Sequence, residues 1–152
     1  MKVEDYLREQ GVWFERHVHA PAYTAQELAA EEHTPGANVA KAVIVRADGE
    51  YVMVVLPASH KLDMRKLAAA LNCDACRLAE EEEMADLFPD VEIGSEPPMG
   101  NLYDITTVVD SHLAEDEQIL FAAGSHRDAI AMDFADYERL VHPHVADVSA
   151  HI

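Results

Sequence analysis

Val39-Ala40-Lys41 sets a lone ammonium near the start of the apolar run VAKAVIVRA. A lysine held in partly apolar surroundings can orient a carbonyl or phosphate, or stabilise negative charge as it develops. The bland alternative is a lysine stem that snorkels at a strand end. Gly94-Ser95-Glu96-Pro97-Pro98-Met99-Gly100 offers a second piece of chemistry. Glycines let backbone N–H groups approach a ligand and prolines freeze the loop, which makes either a preorganised wall or simply a rigid connection. Several other chemistries find no support. The chain has no phosphate-cradling Gly-x-x-x-x-Gly-Lys, no dinucleotide fingerprint and no Gly-x-Ser-x-Gly elbow. Ser125 and His126 are adjacent, and adjacent strand residues point to opposite faces, so they do not read as a nucleophile and its base.

Cys73-Asp74-Ala75-Cys76 is a single CxxC. A structural zinc site wants a second matching pair, and a thioredoxin-type motif opens a helix rather than following one. The two cysteines therefore read as small, half-buried residues at a helix end, with no disulfide framework. The nine histidines include the i, i+2 pairs His17/His19 and His142/His144 but no H-E-x-x-H spacing, so no metal site is expected. The run Glu80 to Glu83 reads as a solvated helix start.

The elements that must carry these groups are legible in outline. Residues 3–10 predict a helix closed by Gly11, and 12–19 predict a strand. Thr24 and Glu27 form a capping-box pattern for a helix to about Glu32, which Thr34-Pro35-Gly36 breaks. Residues 39–47 and 50–57 are β-branched runs around Asp48-Gly49, a two-residue hairpin whose strands should be covered on both faces. Asp63 caps a helix over MRKLAAAL; CRLA reads as a short strand and 80–88 as a helix. Residues 89–103 are irregular, with three prolines. Strands are predicted at 104–110, 118–124 and 129–132, then a helix capped by Asp133 and a polar, His-rich tail from His142. The order is mixed, so a largely antiparallel or mixed sheet packed by helices is expected.

The chain has 152 residues, enough for one ordinary domain with a core of its own. Apolar residues make up 49%, which excludes a disordered acidic tail. The 11 basic residues against 29 acidic ones give a net charge of −18, the opposite of a sequence-independent nucleic-acid binder. The average hides a split. Residues 41–66 hold five basic residues against three acidic ones, whereas 74–117 hold 14 acids against Arg77 alone. A basic or neutral patch on an acidic surface follows. No apolar run approaches the roughly 18 residues of a membrane span, and the N-terminus has no apolar signal core, so a cytoplasmic protein without a membrane partner is expected.

Several segments also line up in order: Tyr23-Thr24-Ala25-Gln26-Glu27-Leu28-Ala29, Val39-Ala40-Lys41, the Asp48-Gly49 hairpin leading to Val54-Val55-Leu56-Pro57, Gly94 to Gly100, Val108-Val109-Asp110 and Ala123-Gly124-Ser125. Together they resemble the YbaK/ProX/EbsC family of aminoacyl-tRNA deacylases, free-standing relatives of the editing insertion domain of bacterial prolyl-tRNA synthetase. The resemblance covers roughly residues 5–141. It implies an α/β (mixed α+β) fold. This would be one compact domain over 1–152, with a mixed, partly barrel-like sheet flanked by helices, a core at about 5–141 and a polar tail at 142–152.

The resemblance further implies hydrolysis of the ester that joins a wrong amino acid to the tRNA 3′ end, with neither cofactor nor metal, in the service of translation fidelity. An activated ester needs positioning, one cation and a few donors more than a strong nucleophile. The family's functional lysine falls on Lys41, its Gly-x-x-x-Pro loop on Gly94 to Pro98 and its aspartate on Asp110. Catalytic work is thus expected of Lys41, Gly94 and Asp110, and substrate binding of Tyr23, Ser95, Pro97, Pro98, Gly100, Gly124, Ser125 and His126. In this scheme the Gly94 loop N–H groups hold the ester carbonyl or the amino acid. Lys41 orients the ester or terminal phosphate, and Asp110 holds Lys41 or the loop. The family's Gly-Tyr before the loop is replaced here by Leu87-Phe88-Pro89-Asp90, which alters one pocket wall. The implied partners are a mischarged tRNA acceptor end and an aminoacyl-tRNA synthetase, met by a monomer or weak dimer. Two other classes stand beside this one: a catalytically silent module that binds an amino acid, nucleotide or tRNA end, and a redox or metal protein using Cys73 and Cys76.

Overall fold

The computed structural model describes residues 2–152. In chain order the helices are α1 (Lys2–Gln10), α2 (Ala25–Glu31), α3 (Met64–Leu71), α4 (Glu81–Leu87) and α5 (Phe134–Val141). The strands are β1 (Phe14–Val18), β2 (Ala40–Ala47), β3 (Glu50–Pro57), β4 (His60–Leu62), β5 (Cys76–Leu78), β6 (Thr106–Asp110), β7 (Gln118–Ala122), β8 (Asp128–Asp133), β9 (His144–Ala146) and β10 (Ser149–His151).

The β2–β3 hairpin is the centre of the molecule. Asp48 and Gly49 both take positive φ, 48° and 86°, which a two-residue turn with matching twist requires. Register runs from Ala40 opposite Pro57 to Ala47 opposite Glu50. Around the hairpin a mixed sheet forms in the order β5-β2-β3-β6-β9, with β6 parallel to β3 and β9 parallel to β6. A parallel neighbour needs a crossover, and α3, β5 and α4 supply it. A second, antiparallel sheet runs β1-β8-β7, and β10 pairs with β4. A parallel bridge from Val39 to Leu120 joins the two larger sheets, giving a partly barrel-like wall that does not close.

Both faces of the hairpin are covered, which explains its nearly continuous apolar sequence. Met53 and Val55 pack with Val3 and Leu7 of α1 and with Phe134, Tyr137 and Val141 of α5. The alternate residues Val52, Val54 and Leu56 pack with Leu67 of α3, Val108 and Val148. A third cluster, which includes Leu28, Ala29, Val39, Ala58 and Leu120, seats α2.

Local chemistry fixes the helix ends. The Thr24 hydroxyl accepts the Glu27 N–H at 3.0 Å, while the Glu27 carboxylate reaches back to the Tyr23 N–H at 3.0 Å. The Asp63 carboxylate accepts from the N–H groups of Arg65 and Lys66. Asp133 precedes α5, but its carboxylate accepts from the Gln118 side chain instead of capping the helix. Two further expectations need correction. The segment after His142 is no tail: β9 and β10 pair with β6 and β4, and Val148 between them is fully buried. Cys73 and Cys76 are half-buried as expected, but they are joined by a disulfide. Asn72 turns the chain in the left-handed region just after α3, and Asp48 accepts from the N–H groups of Asp74 and Ala75 between the two sulfurs. No helix is long and apolar enough to cross a membrane among the described residues.

Candidate active site

A cleft of about 220 Å3 opens between the start of β2, the N-terminal turn of α2 and the loop 94–100. Lys41, Gly94, Glu96, Gln26 and Ser125 line it. Lys41 lies on the β2 face that carries Val43 and Val45, so its stem runs beside apolar neighbours. It is half-buried, and its ammonium donates to the backbone carbonyl of His60 in β4. Burial lowers the pKa of the lysine. This is neither a free surface lysine nor a paired one: it is a cation held at a cleft with two N–H donors left over.

Glu96 faces the same cleft and is buried. Burial pushes its carboxyl pKa up, opposed by the N–H of Gly94, which donates to Glu96 Oε1 at 3.0 Å. The sequence reading passed over Glu96, because a glutamate in a proline-rich loop looks solvated. The available signal was a single acid among residues that otherwise freeze and bury the loop.

The loop is rigid for identifiable reasons. The Ser95 N–H donates to the Glu92 carbonyl at 3.0 Å, and the Gly124 N–H donates to the Ser95 carbonyl at 2.9 Å. The buried hydroxyl of Tyr137 donates to the Pro98 carbonyl at 2.7 Å. A Cβ on Gly100 would stand 2.3 Å from the Ile105 carbonyl oxygen, so this glycine exists to let two backbones meet. Gly100 is therefore a packing residue. Gly94, at φ 93°, is a turn residue whose N–H is already spent on Glu96. The N–H groups of Gly94 and Ser95 are thus already engaged within residues 92–96.

The remaining expected residues divide into two groups. Tyr23 is exposed at the rim and packs its ring against His126, centroids 4.8 Å apart. The His126 ring contacts the Ile93 carbonyl at 2.8 Å and the Glu92 carboxylate at 3.4 Å, so it braces the loop from outside. The Ser125 hydroxyl donates to Asp128 at 2.6 Å and accepts from the N–H groups of Arg127 and Asp128, which makes it a turn hydroxyl. Pro97 and Gly124 line a smaller hollow of about 140 Å3 with Val91 and Tyr103.

Asp110 is not brought to the cleft. Its buried carboxylate accepts from the Val148 N–H at 3.0 Å and from His112 through both the backbone N–H at 3.2 Å and the ring Nδ1 at 2.9 Å. Burial alone would push this carboxyl up, but those donors together hold it below its ordinary value. Asp110 touches neither Lys41 nor the loop. The His112 ring packs on the His60 ring at 4.8 Å, and the His60 carbonyl holds Lys41, so Asp110 and Lys41 are linked through a histidine pair.

Comparison with known proteins follows the same line. The aminoacyl-tRNA editing domain family matches residues 19–140. Proline–tRNA ligase of Staphylococcus saprophyticus is 34% identical over 83 residues, 54% of this chain and 14% of the ligase. Proline–tRNA ligase of Staphylococcus haemolyticus is 28% identical over 127 residues, 75% of this chain and 22% of the ligase. The chain thus corresponds to a minor part of those ligases. Among solved structures, hypothetical protein APE2540 superposes with a TM-score of 0.89 at 23% identity, covering 99% of this chain and 100% of that one. A proposed trans-editing enzyme for prolyl-tRNA synthetase superposes with a TM-score of 0.83 at 21% identity, covering 98% and 95%. At these identities the structures share the fold.

Proposed function

Because the chain belongs to the aminoacyl-tRNA editing domain family, we propose that it hydrolyses, in trans, the ester between a wrong amino acid and the 3′ end of a tRNA. The single observation that carries this reading is that a half-buried cation, Lys41, and a buried carboxylate, Glu96, line the same small cleft. At about 220 Å3 the cleft is smaller than the ~300–1,000 Å3 of sites for drug-sized ligands, so it suits an aminoacyl group better than a whole nucleotide.

Water attacks the ester carbonyl. The two free N–H donors of Lys41 orient the ester or terminal phosphate and meet the negative charge that develops on the carbonyl oxygen. Glu96 takes the proton from the attacking water, and its raised pKa brings its basicity closer to the working pH. The proton then passes to the departing ribose oxygen, leaving free amino acid and uncharged tRNA. The loop 94–100 acts as a stiff wall rather than a donor array. A catalytically silent binding module is the second reading, and the internally spent N–H groups of Gly94 and Ser95 favour it.

The test is deacylation of a panel of mischarged tRNAs by the purified protein and two variants. Glu96→Gln should slow hydrolysis by roughly 10²–10⁴-fold and Lys41→Met by roughly 10²–10³-fold. The wild-type rate should rise with pH through the raised Glu96 pKa. Both variants working at the wild-type rate would overturn the assignment. Binding of an aminoacyl-tRNA without hydrolysis would select the second reading.

A further inference from the structure

Asp110, His112 and Asp147 lie outside the cleft and bring one donor atom each within 4.8 Å of one another. The first closes β6, the second stands in the turn that follows, and the third lies in the connection between β9 and β10. From this geometry we infer a divalent transition-metal site, with one imidazole and two carboxylates as protein ligands and water completing the sphere. Nitrogen with carboxylate oxygen suits Zn2+, Co2+ or Mn2+.

Three observations point to a cation here. Asp110 is fully buried, and among the described residues its one ion-pair contact is the titratable ring of His112 at 2.9 Å. The Ser149 hydroxyl is also fully buried beside Asp110; it helps hold that carboxylate in its charged form, yet among the described residues it stands outside good hydrogen-bonding geometry. The His112 ring is already oriented, since the contact between its Nδ1 and Asp110 Oδ2 and the packing of His60 on its face fix its plane. His151 packs on His60 in turn at 5.1 Å, so the site's flank is a wall of imidazoles. One ammonium competes. Lys66 Nζ contacts both Asp147 oxygens, at 3.1 and 3.3 Å, and donates to the Ser149 carbonyl. A metal bound at this point ties the end of β6 to the β9–β10 connection. It also clamps the histidine whose neighbour, His60, holds Lys41.

The test uses the full chain after dialysis against a chelator, titrated calorimetrically with Zn2+ alone and, in parallel, with Co2+ followed by its visible absorption. The expected result is one saturable equivalent. Asp147→Asn and His112→Asn should each weaken it on the order of tenfold or more. Both side chains are about half exposed, 54% and 44%, so these variants keep the fold. His33→Asn, at an exposed histidine away from the site, should leave affinity unchanged. Lys66→Met, which removes the competing ammonium, should tighten binding. Absence of saturable binding would overturn the proposal. So would affinity indifferent to Asp147→Asn and His112→Asn, because the metal would then be held by scattered surface histidines.

Discussion

Tyr137→Phe isolates what holds the loop 94–100 to the core. The Tyr137 ring is fully buried and packs against Phe134, and a phenylalanine keeps that packing. What is lost is one hydrogen bond, from the hydroxyl to the buried Pro98 carbonyl at 2.7 Å. A buried acceptor left without its donor costs about 1–3 kcal/mol. For a chain of this length each kcal/mol lowers Tm by roughly 2–4 °C, so the variant should melt roughly 2–12 °C below wild type. The effect should also reach the cleft. Pro97 and Pro98 donate no N–H of their own, so the Tyr137 hydroxyl is one of few ties between this loop and the helices beneath it. Releasing it should let Glu96 drift relative to Lys41 and slow deacylation while the fold persists. Thermal unfolding by circular dichroism and the deacylation rate at a temperature well below both transitions would be measured together. A variant within about 1 °C of wild type and equally active would refute the view that this bond preorganises the cleft.

Burial with an unpartnered oxygen, beside Glu115, raises the carboxyl of Asp116 to about 6 from its ordinary 3.8. The folded state therefore binds that proton more tightly than the unfolded chain, and the destabilisation grows as pH rises from about 4 through about 6. Asp116→Asn should raise Tm at pH 8, with the gain vanishing near pH 4; a gain independent of pH would contradict this origin. The net charge of −18 makes the compact state repel itself, so Tm should climb as salt is raised from millimolar to molar, and a flat profile would show that the acidic surface carries no such strain. Among the residues lining the cleft Lys41 is the only lysine or arginine, which limits phosphate contacts there, so log Kd for tRNA should change with log salt with a slope of about 1. Salt-independent tight binding would mean that the acceptor end is not met electrostatically.

How much of this was legible in the sequence depended on whether the signal was local. The β2–β3 hairpin was readable because Asp48-Gly49 states its own turn and the flanking residues are β-branched on both faces. The Thr24 and Asp63 caps were readable because a side chain and its N–H partners lie within three residues. β9 and β10 were not, since three-residue strands have no periodicity and exist only because β6 and β4 offer edges to pair with. The same limit explains the site. Lys41 stands out as a charge in an apolar strand, and it is indeed in the cleft. The family resemblance implies that Asp110 holds Lys41 or the loop, but the chain between β9 and β10 returns to claim Asp110 through the Val148 N–H. Asp147 lies far along the sequence from Asp110 and His112, so no spacing rule could have grouped them.

The most direct measurement is the half-life of the ester bond in a panel of mischarged tRNAs, with and without the wild-type protein, beside the correctly charged species. The account predicts that at least one mischarged ester is cleaved well above its spontaneous rate while the correctly charged tRNA survives. Spontaneous decay of every ester in the panel would contradict it.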